Sequence, residues 1–464
     1  MARIAWPSGL SYHWRREVLR TSLWFVPGVE VIAAICLFAG TLTVDRAAYN
    51  RSITLPTWVV GGSADAASLI LTTIAAAVIT VVGVVFSIIL VTLTLATTQF
   101  GPRMLRNFIR DRGTQLTLGT FVGTFVYAVL VLVSISPGPR GIFVPHLGVT
   151  VSIALMVADL GILIYFIHHT ATSIQLPQVV ASIARDLTEA IQTQGGDGQA
   201  ARLADSGMQG PSVTELLAAM ESNGGVIRAP ASGYLQFIKH NVLVAMATEA
   251  GAVISIDYRP GHFLVQGHPL GQVLPPEAVP AVATALGRAH VTGPYRTLTQ
   301  DVSFGIDQLV EICLRALSPA VNDTFTALTC IDWLGENLCK IAKHWHPARV
   351  HRDQQGFIRV IATQPPYERL VQRSFEKVRQ SGEGMPAVMI RQLDSITKII
   401  ADTSGPAQRR VLLEQAEMIA RSADRTVHEA GDRADVRRYF EAVVTADAEM
   451  AKRDADDGRQ AEAR

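Results

Sequence analysis

Between Asp65 and Arg103 the chain carries no ionisable side chain, and the run ends in a basic cluster of Arg103, Arg106, Arg110 and Arg112. The hydrocarbon core of a bilayer is about 30 Å thick and a helix rises about 1.5 Å per residue, so about 20 apolar residues cross it. The uncharged run is longer than that, and its centre, residues 67–96, is dominated by Ile, Val, Leu and Ala. A helix in a water-soluble core has no need of such length without charge. The run therefore predicts a spanning helix that overshoots the bilayer.

The pattern recurs at 23–44, 114–135 and 147–168, which gives four spans and a transmembrane domain over 1–169. Lys and Arg crowd cytoplasmic loops, and the signal here agrees with itself. Arg15, Arg16 and Arg20 precede the first span, and Arg103 to Arg112 join the second to the third. The loops left outside, 45–66 and 136–146, hold only Arg46, Arg51 and Arg140 as strong bases, with Asp45 and Asp65 beside them. Both termini are expected in the cytoplasm. The first apolar segment is too long for a cleavable leader and is expected to remain as a span. The four cysteines, Cys36, Cys313, Cys330 and Cys339, show no short paired spacing, and no structural disulfide is expected. A formal net charge of +1 offers no basis for nucleic-acid binding.

After His169 the composition becomes that of a soluble protein. An amphipathic helix and linker are expected over 170–225, a small β barrel over 226–274, a mainly helical domain over 275–446 and a disordered, mixed-charge tail over 447–464. The fold class is thus an α-helical transmembrane bundle followed by a cytosolic α+β domain. The barrel rests on two phrases, Arg228-Ala-Pro-Ala-Ser-Gly-Tyr-Leu and Arg259-Pro-Gly-His-Phe-Leu-Val-Gln-Gly-His-Pro-Leu-Gly-Gln-Val. They resemble the barrel-sandwich hybrid of lipoyl, biotinyl and membrane-fusion adaptor domains. The modified lysine of that hairpin is missing, since Lys239 stands in Phe-Ile-Lys-His-Asn. The resemblance implies a fold without a swinging-arm cofactor.

Two carboxylates fall inside spans, Glu30 in the first and Asp159 in the fourth. Ionisable groups at such depth are costly and default to a functional reading. Each lies about nine residues from its cytoplasmic end, about 13 Å in, so the two share one level if their helices adjoin. A like-charged pair would share a proton or bind a cation. Alternatively each acid is protonated and bonds a nearby Ser or Thr. Pro27, one turn before Glu30, offers a freed backbone carbonyl. Gly119 and Gly123 make a Gly-x-x-x-Gly packing seam, within one chain or between subunits.

Thr97 and Gln99, at the polar exit of the second span, are candidates for a cytoplasmic vestibule, and Arg103, Arg106 and Arg110 for contact with lipid headgroups. His344, His346 and His351 lack the spacing of a metal site, and no metal is expected. Phosphate-binding loops, Gly-x-Ser-x-Gly elbows and His-Glu-x-x-His motifs are absent, so neither an enzyme activity nor a cofactor is expected.

Four stretches combine into a wider likeness: Phe86-Ser87 through Thr98-Gln99-Phe100-Gly101-Pro102-Arg103-Met104-Leu105, the Ser-Gly-Tyr-Leu phrase, Asp301-Val-Ser-Phe-Gly-Ile-Asp307, and Ala316-Leu-Ser-Pro-Ala-Val-Asn-Asp323. They resemble a family of bacterial predicted membrane proteins known only as a domain of unknown function. The resemblance implies a multi-pass protein of the bacterial cytoplasmic (inner) membrane, and no activity. Asp301, Asp307, Ser318, Asn322 and Asp323 become candidates for a cytosolic contact or ligand loop. The favoured expectation is a homo-oligomer forming an ion or proton pathway controlled by its cytosolic domain. The competing one is a non-transporting scaffold or sensor that binds a protein partner.

Overall fold

The computed structural model describes residues 24–100, 111–139, 141–173, 175–195 and 210–462. The chain divides into two compact units, Met1–Gln178 and Val179–Arg464.

The first unit holds four helices, each long and apolar enough to cross a membrane: α1 (Phe25–Tyr49), α2 (Ala64–Phe100), α3 (Arg112–Ser134) and α4 (His146–Ser173). Helix α2 is 37 residues long, about 55 Å at the helical rise, well beyond a bilayer core. A short hairpin of β1 (Ser136–Gly138) and β2 (Gly141–Phe143) joins α3 to α4. Helix α3 packs against all three others. Lipid tails are as apolar as these side chains, so burial alone does not drive such packing. Close approach does, and α3 presents Gly119 and Gly123 to α1. Outward residues such as Leu69, Val91, Val133, Leu160 and Ile164 are exposed, as lipid-facing positions should be.

The second unit begins within α5 (Leu176–Gln194), whose Val180, Ile183, Leu187 and Ile191 are fully buried at spacings of three and four. After α6 (Val213–Asn223), headed by a Ser212–Glu215 capping box, come β3 (Gly225–Arg228), β4 (Gly233–Ile238), α7 (His240–Glu249), β5 (Val253–Ile256), β6 (Phe263–Leu264) and β7 (Pro269–Leu274). Helix α8 (Val279–Ala289) and β8 (His290–Gly293) follow.

No closed barrel occurs among the described residues, so the expected barrel over 226–274 is corrected to two open sheets. The physical reason is α7. Leu243, Met246 and Ala247 turn a helical face into the core where a barrel needs continuous pairing. Sheet closure is also pre-empted by strands from far along the chain. Strand β8 pairs with β4 in the sheet β6-β4-β8, while β10 (Ile358–Ala362) runs parallel to β5 in the mixed sheet β3-β7-β5-β10-β9, with β9 (Val350–Arg352) at its edge.

The remaining helices are α9 (Val302–Ala316), α10 (Thr324–His344), α11 (Tyr367–Ser381), α12 (Pro386–Ile400), α13 (Pro406–Thr426) and α14 (Ala430–Glu462). Their shared interior includes Leu309, Leu334, Phe375, Ile396, Leu412 and Val436. Helix α14 runs through 447–462, where the composition suggested disorder. Arg409 anchors it. This guanidinium, with a side chain only 5% exposed, pairs with Asp447 at 3.0 Å and Asp454 at 2.8 Å.

Candidate functional site

One stripe of α3 carries polar groups at successive turns between α1 and α4. Residues 113, 117, 120, 124 and 127 fall at helical spacings of four and three, which places Gly113, Thr117, Thr120, Thr124 and Tyr127 on one face. Thr120 Oγ1 lies 3.4 Å from Glu30 Oε2 of α1. Thr124 donates to Asp159 Oδ1 of α4 at 3.2 Å. Tyr127, fully buried, shares a 2.9 Å hydrogen bond with Thr41 of α1. Glu30 and Asp159 therefore bond to different threonines one turn apart, about 6 Å along the axis. Each acid thus has its own hydroxyl partner on α3.

Asp159 is the more constrained acid. It is 3% exposed, and its Oδ2 has no hydrogen-bond partner among the described residues. Neither Lys nor Arg occurs in the sequence from 113 to 139 or from 141 to 184, and the one arginine of α3, Arg112, stands at its first residue, about 18 Å along the helix from Thr124. At Glu30, Thr120 also bonds the Leu116 carbonyl at 2.9 Å. A hydroxyl has one proton, so Thr120 can serve Leu116 as donor while accepting from a protonated Glu30. Proton-carrying states of the acid are thus accommodated without rearrangement.

Pro27 does not free a carbonyl inside the bundle. It is the third residue of α1, in the first turn, where no N–H partner is required. The glycine seam lies within one chain, since a Cβ at Gly119 would stand 2.8 Å from the Pro27 Cα and closer still to Glu30 Oε2.

Both ends of the stripe are pinned by acids that sequence reasoning did not single out as sites. Asp111 caps α3 through Thr114 N at 2.8 Å and meets His169 Nε2 of α4 at 2.9 Å, with Tyr165 stacked on the imidazole. At the other end Asp45, 3% exposed, accepts from Leu147 N at 2.8 Å and Gly148 N at 2.9 Å, capping α4 from the neighbouring helix α1. Asp45→Ala would leave two N–H groups, one buried and one half-buried, without this acceptor and is expected to cost about 2 kcal/mol. Thermal unfolding in detergent checks this, with Asp45→Asn intermediate because it keeps one acceptor oxygen.

The structure does not bring the candidates of the second unit into one site. Asp301 caps α9 through Phe304 N and pairs with Arg296, which also pairs with Asp307. The loop at the other end of α9, about 22 Å away along the helix, has a capping role. There Ser318 Oγ donates to the Arg315 carbonyl, Asn322 adopts φ 50°, and Asp323 accepts from Thr326 N at 3.1 Å and Thr326 Oγ1 at 2.6 Å. These donors hold the Asp323 carboxyl below the usual carboxylate range. Asn tolerates that left-handed conformation better than most residues. The side chains of Thr97 and Gln99, and the whole of Arg103, Arg106 and Arg110, lie outside the described residues. Among the described residues no three His, Cys, Asp or Glu side chains are grouped to hold a metal.

A family model of predicted membrane proteins of unknown function, DUF2254, matches residues 20–398, and the chain belongs to this family. Similar relatives include the uncharacterised proteins Mb1321c of Mycobacterium bovis and Rv1290c of Mycobacterium tuberculosis. Each is 28% identical over 437 residues, covering 90% of this chain and 80% of the relative. No solved structure matches. The chain is accordingly a multi-pass membrane protein of an uncharacterised family.

Proposed function

We propose that the membrane unit is a proton pathway, with Asp159 and Glu30 as its relay groups and the α3 hydroxyls as their partners. The observation that carries this reading is Asp159, a buried carboxylate with one oxygen unpartnered and a single hydroxyl donor on the other. A carboxylate so placed is costly when charged and can exchange a proton with small loss. A proton suits the bundle better than a hydrated cation. Helix α3 occupies the centre of the unit, so a wider pore would need an interface between copies.

The rest of the reading follows from the sequence. The Lys and Arg asymmetry argues for both termini in the cytoplasm of a bacterial inner membrane, where the second unit would control the pathway. The assembly is a homo-oligomer without enzymatic activity, in contact with the lipid bilayer. A scaffold or sensor reading draws on Val321 and Phe325, which are 53% and 82% exposed beside the Ser318–Asp323 loop and suit a protein partner.

Proton flux into liposomes under an imposed pH gradient tests the proposal. The wild-type protein should conduct, and the Glu30→Gln, Asp159→Asn double variant should lose at least about a hundredfold, the lower end of the scale for one removed proton-transfer group. Matched unfolding and oligomeric profiles exclude misfolding. An absence of flux above empty liposomes would sink the pathway and leave the scaffold.

A further inference from the structure

Four arginines of the second unit converge on two carboxylates, Asp301 and Asp307. Arg296, between β8 and α9, is saturated on the acid side. Its Nε donates to Asp301 Oδ2 at 2.8 Å and its Nη1 to Asp307 Oδ2 at 2.6 Å. Arg373 of α11 reaches the same Asp307 oxygen. Arg259, in the loop between β5 and β6, lies within electrostatic reach of Asp301 and of Arg296, Arg369 and Arg373. Arg259 is half-buried, yet its guanidinium makes no ion pair or hydrogen bond among the described residues. Arg369, one turn before Arg373 on the same face of α11, is exposed, and its guanidinium bonds Gln372 at 3.3 Å.

The loop that carries Arg259 is built into this position. Gly261 has φ +93° and lies so close to Asp301 that a Cβ there would overlap its carboxylate. Leu235 N and the His262 carbonyl then tie the loop to β4 at 2.8 Å. Burial, followed by the charges of Arg259, Arg296 and Arg373, holds the His262 imidazole uncharged, pushed down to about 4. It therefore supplies a neutral ring rather than a fifth cation.

Packing like charges together is unfavourable unless a counter-ion joins them, and guanidinium forks match the oxygens of phosphate-type anions. We propose that Arg259, Arg369 and the outward donors of Arg373 bind a phosphate-type dianion. Two of the four positive charges are balanced by Asp301 and Asp307, and the remaining two complement a phosphomonoester or pyrophosphate group. Arg369, being exposed, is reachable from solvent. The same chemistry is carried by a soluble phosphorylated metabolite and by a phospholipid headgroup.

Calorimetric titration of the full-length protein distinguishes them, with inorganic pyrophosphate as the soluble probe and nanodiscs with or without phosphatidic acid, whose headgroup is a phosphomonoester, as the lipid one. Saturable binding of pyrophosphate, one per chain, is expected, with at least tenfold weaker affinity in Arg259→Gln, Arg369→Gln. Arg391→Gln, which removes an exposed pair with Asp332 elsewhere, should bind like wild type. Competition by phosphatidic acid nanodiscs, lost in the same double variant, would assign the anion to a headgroup. No saturable binding to either probe, or equal binding in a double variant that melts like wild type, overturns the site.

Discussion

Gly119→Ala is expected to destabilise the membrane unit by about 2 kcal/mol, within the range for an overpacked core, whereas Gly123→Ala should be neutral or mildly stabilising. The two glycines share a motif and a helix face, and the difference comes from what each meets. A methyl at 119 would stand 2.8 Å from the Pro27 Cα, a backbone atom that no rotamer change can move, and would overlap Glu30 Oε2. At 123 the nearest atoms are the Glu30 carbonyl oxygen at 3.5 Å and the Ala34 Cβ at 3.6 Å, which is ordinary contact. There the gain in helix propensity, up to about 1 kcal/mol, is left unopposed. Midpoints of thermal unfolding in detergent, read by circular dichroism, compare the two. Equal losses would mean that α1 and α3 do not meet along this seam. Proton flux supplies a second readout, because a displaced Glu30 loses Thr120 while Asp159 keeps Thr124.

The membrane helices are legible because their cause is one-dimensional. A stretch without charge and long enough to cross hydrocarbon needs no partner to be recognised, and Asp65 and Arg103 bracket one such stretch in the sequence itself. The two intramembrane acids are legible for the same reason. What they touch is not, since it depends on how far helices are staggered, and depth counting cannot fix stagger between helices of different tilt. The Thr120, Thr124, Tyr127 spacing of four and three was available as a signal. It passes for ordinary helix composition until α1 and α4 are placed on either side. Asp45 shows the limit plainly. In sequence it is a charge in an outer loop, balanced against Arg46, and only the contact with the start of α4 makes it a cap.

The second unit misleads for a different reason. Its Gly-Pro punctuation is that of a barrel, and local pattern cannot report that β5 will pair with residues about a hundred positions later. The apolar spacing of Val242, Leu243, Met246 and Ala247 is that of a helix, but the Gly-Pro punctuation on either side outweighed it in the reading of 226–274 as a barrel. Charge pairing misled too at the C-terminus. Asp447 and Asp454 read as solvated, but a buried Arg409 on another helix makes them structural. The Arg259, Arg296, Arg369 and Arg373 cluster is equally invisible along the chain, because its members come from two loops and one helix.

Acidification from pH 7 to pH 5 is expected to cost the second unit about 2 kcal/mol through His240 alone. The rings of His240, the first residue of α7, and His351, on the edge strand β9, stack with centroids 4.2 Å apart. Burial first, and then the charge His351 would carry, push His240 down from 6.5 to about 4. Burial also lowers His351, whose Nε2 has no partner among the described residues. The sign follows from which state takes the proton. Below pH 6.5 the unfolded chain binds a proton that the folded pair refuses, so the stability contributed at neutral pH is intact above 6.5 and is lost as pH falls towards 4. Each pH unit in that window weighs about 1.4 kcal/mol per histidine at most. His262 and His290, both lowered chiefly by burial, add to the slope in the same direction. His240→Phe keeps the stacked ring and removes the titration, so it should retain more of its neutral-pH stability at pH 5 than wild type. The urea midpoint for proteolytic cleavage within the second unit of the full-length protein, measured at both pH values, reads this directly. A wild-type midpoint that does not fall on acidification, or a His240→Phe variant that falls just as far, would show that the stacked pair does not set the acid limit.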